Sequence, residues 1–255
     1  MPKPIQYLLS VIFIFQMYLM MVVLALFWVI PTLINGENAF RAVHSYCRWV
    51  RFSARWIVGL KSEIRGTPPV GEVIIASKHQ SFFDIILIVS TVPKPKFIMK
   101  KELLRTPIVG WFATRIGCIA VDRGRGGKAV KKMIAAVIAS PQKGQLIIFP
   151  QGTRVAPADV RPYKVGVGLI YTQTGQTCVP AATNVGVFWP RQGILRKRGL
   201  AVVEFLDPVP AGVAMEPFMN ELETRIESAS VALMGEAGFH PLADAAAVHP
   251  SDSPS

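Results

Sequence analysis

Ser77 to Asp84 reads Ser-Lys-His-Gln-Ser-Phe-Phe-Asp. His79 falls just past an apolar run, Val73 to Ser77, and Asp84 falls in the first turn of the helix expected over Phe82 to Ser90. A turn at this place can bring the carboxylate onto Nδ1 of the imidazole, which fixes the tautomer and leaves Nε2 free to accept a proton. That is a general base with its orienting acid, but without a nucleophile. The same residues also fit a capping box, Ser81-x-x-Asp84, in which the carboxylate only serves backbone donors and the helix dipole. At this level both readings stand.

Three further segments carry chemistry-bearing residues beside predicted strands. Phe149-Pro150-Gln151-Gly152-Thr153-Arg154 follows the apolar run Leu146 to Phe149. Gly152 permits close backbone approach, Thr153 supplies a hydroxyl, and Arg154 supplies a planar fork matched to phosphate. Gly117 to Arg123 is a strand ending in a second arginine, and Val179-Pro180-Ala181-Ala182 is a strand with a proline near its start. Taken singly, Arg123 and Arg154 read as solvated charges. Their shared placement with His79 beyond the carboxyl ends of strands is where ligand sites of open α/β sheets gather.

The elements that must hold these residues alternate. Val73–Ser77, Cys118–Val121, Leu146–Phe149, Cys178–Thr183 and Ala201–Phe205 read as strands. Phe82–Ser90, Ala129–Ser140, Val165–Thr172 and Pro217–Leu233 read as helices, the last with Glu221, Glu223 and Glu227 turned to solvent. Unbroken apolar strands alternating with amphipathic helices predict an α/β fold with a mainly parallel sheet flanked by helices. The expected organisation is an N-terminal pair of membrane-associated helices over 1–62, the α/β domain over 63–237 and a flexible Ala/Pro/Ser/Asp-rich tail over 238–255.

Between Lys3 and Glu37 stand 33 consecutive uncharged residues, and Ile5 to Ile30 is broken only by Gln6, Ser10 and Gln16. A helix of that length, ~39 Å, is enough to cross a ~30 Å hydrocarbon layer with tilt. It is too long for a cleaved signal peptide, and no small-x-small cleavage site follows it. A second helix is expected over Ala39 to Val58, with Arg41, Arg48, Arg51 and Arg55 within about 80° of one another opposite Tyr46, Trp49, Val50, Phe52, Trp56 and Ile57. A basic stripe beside an aromatic face suits anionic lipid, although a surface helix packed on the core shows the same wheel. The arginines follow the apolar span, so the positive-inside bias places residues 37 onward in the cytosol. Whether the first helix crosses or enters one leaflet as a hairpin stays open.

The chain has 255 residues, a mean hydropathy of +0.38 and a net charge of +12. Such a composition excludes a disordered chain, a disulfide scaffold and a polytopic transporter. Residues 1–203 carry 27 basic and 7 acidic side chains, whereas 204–255 carry one basic and nine acidic. A basic body seeks anionic partners: lipid head groups, phosphorylated substrates, an acidic carrier protein or nucleic acid. Eleven basic residues lie between Lys94 and Lys132 alone. Cys47, Cys118 and Cys178 form no Cys-x-x-Cys pair and read as reduced thiols, not as disulfides or a metal site.

The four segments, in this order and spacing, resemble the glycerolipid acyltransferases typified by 1-acyl-sn-glycerol-3-phosphate acyltransferase, over roughly residues 70–210. The resemblance implies that His79 is the general base and Asp84 its orienting partner, that Arg123, Gln151, Gly152, Thr153 and Arg154 hold the phosphate-bearing acceptor, and that Pro180 has a structural role near the acyl donor. It implies transfer of an acyl group from an acyl thioester, on acyl carrier protein or CoA, to the sn-2 hydroxyl of lysophosphatidic acid, giving phosphatidic acid for phospholipid synthesis. No metal or further cofactor is expected. The expected setting is the cell inner membrane, among membrane phospholipids, with the catalytic domain on its cytoplasmic face. One position departs from the family: Gln151 stands where Glu is usual, which leaves another lysolipid, such as a lyso-aminolipid, as the alternative acceptor. A hydrolase is disfavoured because no Gly-x-Ser-x-Gly occurs. A non-catalytic basic membrane-binding module explains the charge but not the base and arginines at strand ends. Nucleic acid is not an expected partner, and Gly124 to Lys128 lacks the spacing of a phosphate loop.

Overall fold

The computed structural model describes residues 2–121 and 127–240. Its frame is a seven-stranded sheet in the order β1-β7-β6-β2-β5-β3-β4. The strands are β1 (Leu60–Arg65), β2 (Ile74–Ser77), β3 (Pro95–Lys100), β4 (Ile119–Val121), β5 (Gln145–Ile148), β6 (Cys178–Thr183) and β7 (Gly199–Phe205). The five strands from β6 to β4 run parallel, and β7 turns antiparallel to β6 and carries β1 parallel to itself at the edge. The sheet is therefore mixed but mainly parallel, as the alternation predicts.

Helices cover both faces: α1 (Lys3–Ile34), α2 (Asn38–Ser53), α3 (Phe82–Val89), α4 (Pro107–Arg115), α5 (Gly127–Ile138), α6 (Gly166–Thr174), the short α7 (Val185–Phe188) and α8 (Met215–Glu236). On one face α1, α2 and α3 bury Phe13, Cys47, Val50, Phe83 and Leu87 against Ile75, Ile147 and Val203. On the other, α5, α6 and α8 bury Ile134, Ile170, Phe218, Leu222 and Ile226 against Ile74, Leu146 and Ile148. Each large side chain so buried contributes roughly 1.5–3 kcal/mol. Successive residues of β2 thus feed opposite layers, which is why its apolar run is unbroken.

The central strands β2, β5 and β6 bury every residue, so neither face needs polar alternation. Pro180 sits inside β6, opposite Ala76 of β2. Its carbonyl accepts from Leu206 N on the β7 side, just past the end of β7 at Phe205, so the proline costs the pairing only the return bond to Leu206 O.

Helix α1 inverts the usual amphipathic arrangement. Its few polar residues face the body: Gln6 Nε2 donates to the carbonyls of Val58 and Arg196, Ser10 Oγ accepts from Arg196 N, and Gln16 bonds Ser53 and Trp49. Its apolar residues face outward, with Leu8, Phe15, Leu26 and Phe27 at least 60% exposed. By length and composition α1 could cross a membrane, yet Phe13 and Met17 pack into the main core and Ala25 and Trp28 against Phe40 and Phe112. The helix lies along the body for most of its ~48 Å.

The basic stripe of α2 is narrower than the wheel suggests. Arg41, Arg48 and Arg55 are exposed, but Arg51 donates inward to the hydroxyls of Ser62 and Ser90. The second helix also ends earlier than expected, at Ser53, and continues as a π-helical turn over Ala54–Val58 closed by Gly59 with φ 73°. Of the predicted flexible tail, residues 241–255 lie outside the described residues.

Candidate active site

β2 and β5 are neighbours, and their carboxyl ends release the two central segments side by side. The backbone of Val155 donates to the carbonyl of His79 at 2.7 Å and joins them. The imidazole lies on the Phe149 ring, centroids 4.0 Å apart at 21°, and its side chain is 14% exposed. Asp84, wholly buried, places Oδ1 3.0 Å from His79 Nδ1. Its Oδ2 accepts from the backbone N–H of Gln80 and Ser81, both at 2.8 Å, while Ser81 Oγ accepts from Phe83 N.

The dyad and the capping box are therefore one structure. One carboxylate oxygen starts α3 and the other holds the imidazole. Because the carboxylate accepts through both oxygens, Nδ1 is the donor and Nε2 is left with its lone pair, the arrangement a general base needs.

The Phe149–Arg154 segment turns sharply. Gly152 has φ 70°, and its N–H donates to Phe149 O at 2.8 Å. The positive φ calls for glycine, and a Cβ there would stand 2.7 Å from Lys164 Nζ, the end of a flexible side chain that would have to move. Thr153 and Arg154 are half-buried on the rim of the turn, and Arg154 Nη1 reaches Arg191 O at 3.5 Å.

Beneath the turn lies a polar group that the sequence does not reveal. Lys78, 2% exposed and next to His79, forms an ion pair with Glu227 of α8. Glu227 Oε1 also accepts from Tyr163 Oη at 3.0 Å and Gln151 Nε2 at 3.4 Å. Glu227 is thus not turned to solvent: a buried ammonium beside the base requires its charge. Burial, then the neighbouring Glu227 charge, push the Tyr163 phenol far upward, so it stays a hydrogen-bond donor. Gln151 is buried with its amide nitrogen toward Glu227 and Arg161 O, and its Oε1 has no partner among the described residues. A carboxylate in its place would confront Glu227 directly, which accounts for an amide at this position.

The structure brings together His79, Asp84, Gly152, Thr153 and Arg154. Gln151 lies under them and Pro180 inside the sheet. Arg123 lies outside the described residues; β4, which precedes it, is three strands from β2, roughly 14 Å across the sheet. Lys78, Tyr163, Lys164, Arg191 and Glu227 join the site's surroundings unannounced. Only Lys78, a charge inside a buried run next to the base, carried a sequence signal. Burial pushes the thiols of Cys47, Cys118 and Cys178 up to about 12, so none is poised as a nucleophile.

An imidazole bonded at Nδ1 to a buried carboxylate stands beside an arginine-bearing turn on the adjacent parallel strand, the arrangement that the motifs suggest. Residues 61–184, just under half of this chain, match the family model described as Acyltransferase. Among its relatives are 1-acyl-sn-glycerol-3-phosphate acyltransferases: that of Pseudomonas aeruginosa is 28% identical over 66% of this chain and 66% of its own length. The Limnanthes alba enzyme of that name is 30% identical over 60% of this chain and 56% of its own, and the human alpha form 28% over 61% and 57%. The matched region thus spans two thirds of these relatives or less. The fold is that of the 1-acyl-sn-glycerophosphate (LPA) acyltransferase PlsC from Thermotoga maritima, with a TM-score of 0.76 over 91% of this chain and 99% of that one, at 19% identity.

Proposed function

We propose that this chain transfers an acyl group from an acyl thioester, carried by acyl carrier protein or CoA, to the sn-2 hydroxyl of lysophosphatidic acid, producing phosphatidic acid for phospholipid synthesis. The observation that carries this reading is the His79–Asp84 pair at 3.0 Å, with no partner on Nε2 among the described residues, one strand away from the Gly152–Arg154 turn.

In this scheme neutral His79 takes the hydroxyl proton through Nε2 as the alcohol oxygen attacks the thioester carbon. Asp84 stabilises the imidazolium that forms. The tetrahedral adduct collapses, the carbon–sulfur bond breaks, and the proton passes from Nε2 to the departing thiolate. Base assistance of this kind is worth roughly 10²–10⁴ in rate. Arg154 and Thr153 hold the acceptor's phosphate, and that remote grip orients the hydroxyl. Neither a metal nor a covalent enzyme intermediate enters the scheme.

The outward apolar face of α1 supports association with the inner membrane, the acceptor's own phase. Since the body accompanies α1 from Gln6 to Trp28, we read the helix as lying in one leaflet with the catalytic domain on the cytoplasmic face.

The test is to give purified protein a labelled acyl thioester, on carrier protein or on CoA, with a panel of lysolipids in vesicles, and to identify the product by mass spectrometry. Phosphatidic acid is expected. Acylation of a lyso-aminolipid alone would redirect the acceptor assignment, and no product with any acceptor would leave a non-catalytic lipid-binding module.

A further inference from the structure

The Gly152–Arg154 turn has more cations on it than the motif supplies. Arg191, in the loop between α7 and β7, donates from Nη1 to Arg154 O at 3.2 Å, while Arg154 Nη1 donates back to Arg191 O at 3.5 Å. Two arginines 37 residues apart are clipped together, each bound to the other's backbone. Lys164 Nζ lies against Gly152, so close that a single methyl on the glycine would touch it. Among the described residues none of these three cations forms an ion pair with a carboxylate.

Like charges held together without a counter-ion are unfavourable, and a turn that gathers them favours an incoming anion. The backbone clip leaves both guanidinium groups with further N–H donors, and the ammonium adds a third source. A phosphate monoester, with up to two negative charges and three terminal oxygens, matches that set better than a phosphodiester, which has one charge and two free oxygens.

We propose that Arg191 and Lys164 complete the phosphate site begun by Arg154, and that these three cations select acceptors carrying a phosphate monoester. The inference rests on the acceptor reading above and names the residues that give it its selectivity. Arg191 has a second effect: by bonding Arg154 O it fixes the end of the turn. Lys164 makes no side-chain bond to that backbone, which allows charge and scaffold to be separated.

The experiment compares wild type, Arg191→Gln, Arg191→Lys and Lys164→Gln, with melting temperature recorded for each. Kinetics use lysophosphatidic acid, a zwitterionic lysophosphodiester and monoacylglycerol; calorimetry uses glycerol 3-phosphate as the probe ligand. Arg191→Gln and Lys164→Gln are each expected to raise KM for lysophosphatidic acid ~10- to 100-fold, mainly without loss of kcat, and to weaken glycerol 3-phosphate binding by a similar factor. The loss on monoacylglycerol should be at least about tenfold smaller, and Arg191→Lys should recover part of the affinity. Unchanged KM and unchanged binding in both glutamine variants would overturn the proposal, as would equal losses on monoester and phosphate-free acceptors. If wild type makes no phosphatidic acid, the acceptor reading fails, while the binding of glycerol 3-phosphate still decides the role of the three cations.

Discussion

Replacing Asp84 by Asn separates the two duties of that carboxylate. The side chain is fully buried and accepts three hydrogen bonds, two from backbone N–H groups and one from the imidazole. Asparagine keeps the shape, and its oxygen still receives Gln80 and Ser81. Its amide nitrogen then faces His79 Nδ1 and can only donate. The imidazole must accept at Nδ1 and carry its proton on Nε2, where it cannot serve as a base. Three charge-assisted bonds become neutral, at about 1 kcal/mol each, so a loss of about 2–3 kcal/mol is expected, or roughly 4–10 °C in melting temperature for a chain of this size. Turnover should fall far more, by about 10²–10⁴. Thiol release from the acyl thioester, followed at a temperature where the variant remains folded, reads the second effect. Ser81→Ala is the control: it removes the other half of the capping box for about 1 kcal/mol and should leave turnover within a few-fold. An Asn variant retaining a tenth of wild-type turnover, or two variants losing activity in step with their melting temperatures, would show that the carboxylate only starts a helix.

Other consequences follow from the same contacts. Glu227→Gln strands the Lys78 ammonium beside the base and should cost about 2–3 kcal/mol in urea unfolding, and adding Lys78→Met should recover most of it. Gly152→Ala forces φ 70° on a residue with a Cβ and displaces Lys164; about 1–2 kcal/mol of stability should be lost together with most turnover, measured by unfolding and thiol release. With thiols pushed to about 12, only about 10⁻⁴ of each cysteine is thiolate at pH 8. Folded protein should therefore take up no iodoacetamide by intact mass in the time that urea-unfolded protein gains three adducts. Gln6→Leu leaves the carbonyls of Val58 and Arg196 without their shared donor and should cost about 1–3 kcal/mol, read as a lowered melting temperature.

The central strands were legible because burial on both faces writes itself as apolar runs, and β2, β5 and β6 fall within a residue or so of expectation. Two outer strands were not, although β4 at the edge was read to within a residue. Leu60–Arg65 has only Leu60 and Ile64 apolar, and Pro95–Lys100 opens on proline and carries two lysines, so neither shows an apolar run of its own before β7 and β5 pair with it. α4, with Gly110 in its middle, is held by its packing on Phe40 rather than by propensity. In the site, residues close in sequence were readable: His79 and Asp84 are bound by the geometry of one turn. Glu227 was not, because it lies beside the buried stripe of Phe218, Leu222 and Ile226, and its partner Lys78 is 149 residues away. Arg191 was invisible for the same reason; only the fold brings it to Arg154.

The account stands on His79 acting through Nε2 on the acceptor hydroxyl. Purified wild type and His79→Ala, matched for melting temperature and vesicle binding, should be given one acyl thioester and one lysophosphatidic acid, with phosphatidic acid counted by mass spectrometry against thiol released. Wild type is predicted to form one lipid per thiol, and the variant to lose at least about 10²-fold in turnover while binding vesicles unchanged. Lipid formation by the variant at the wild-type rate would contradict the assignment of the base.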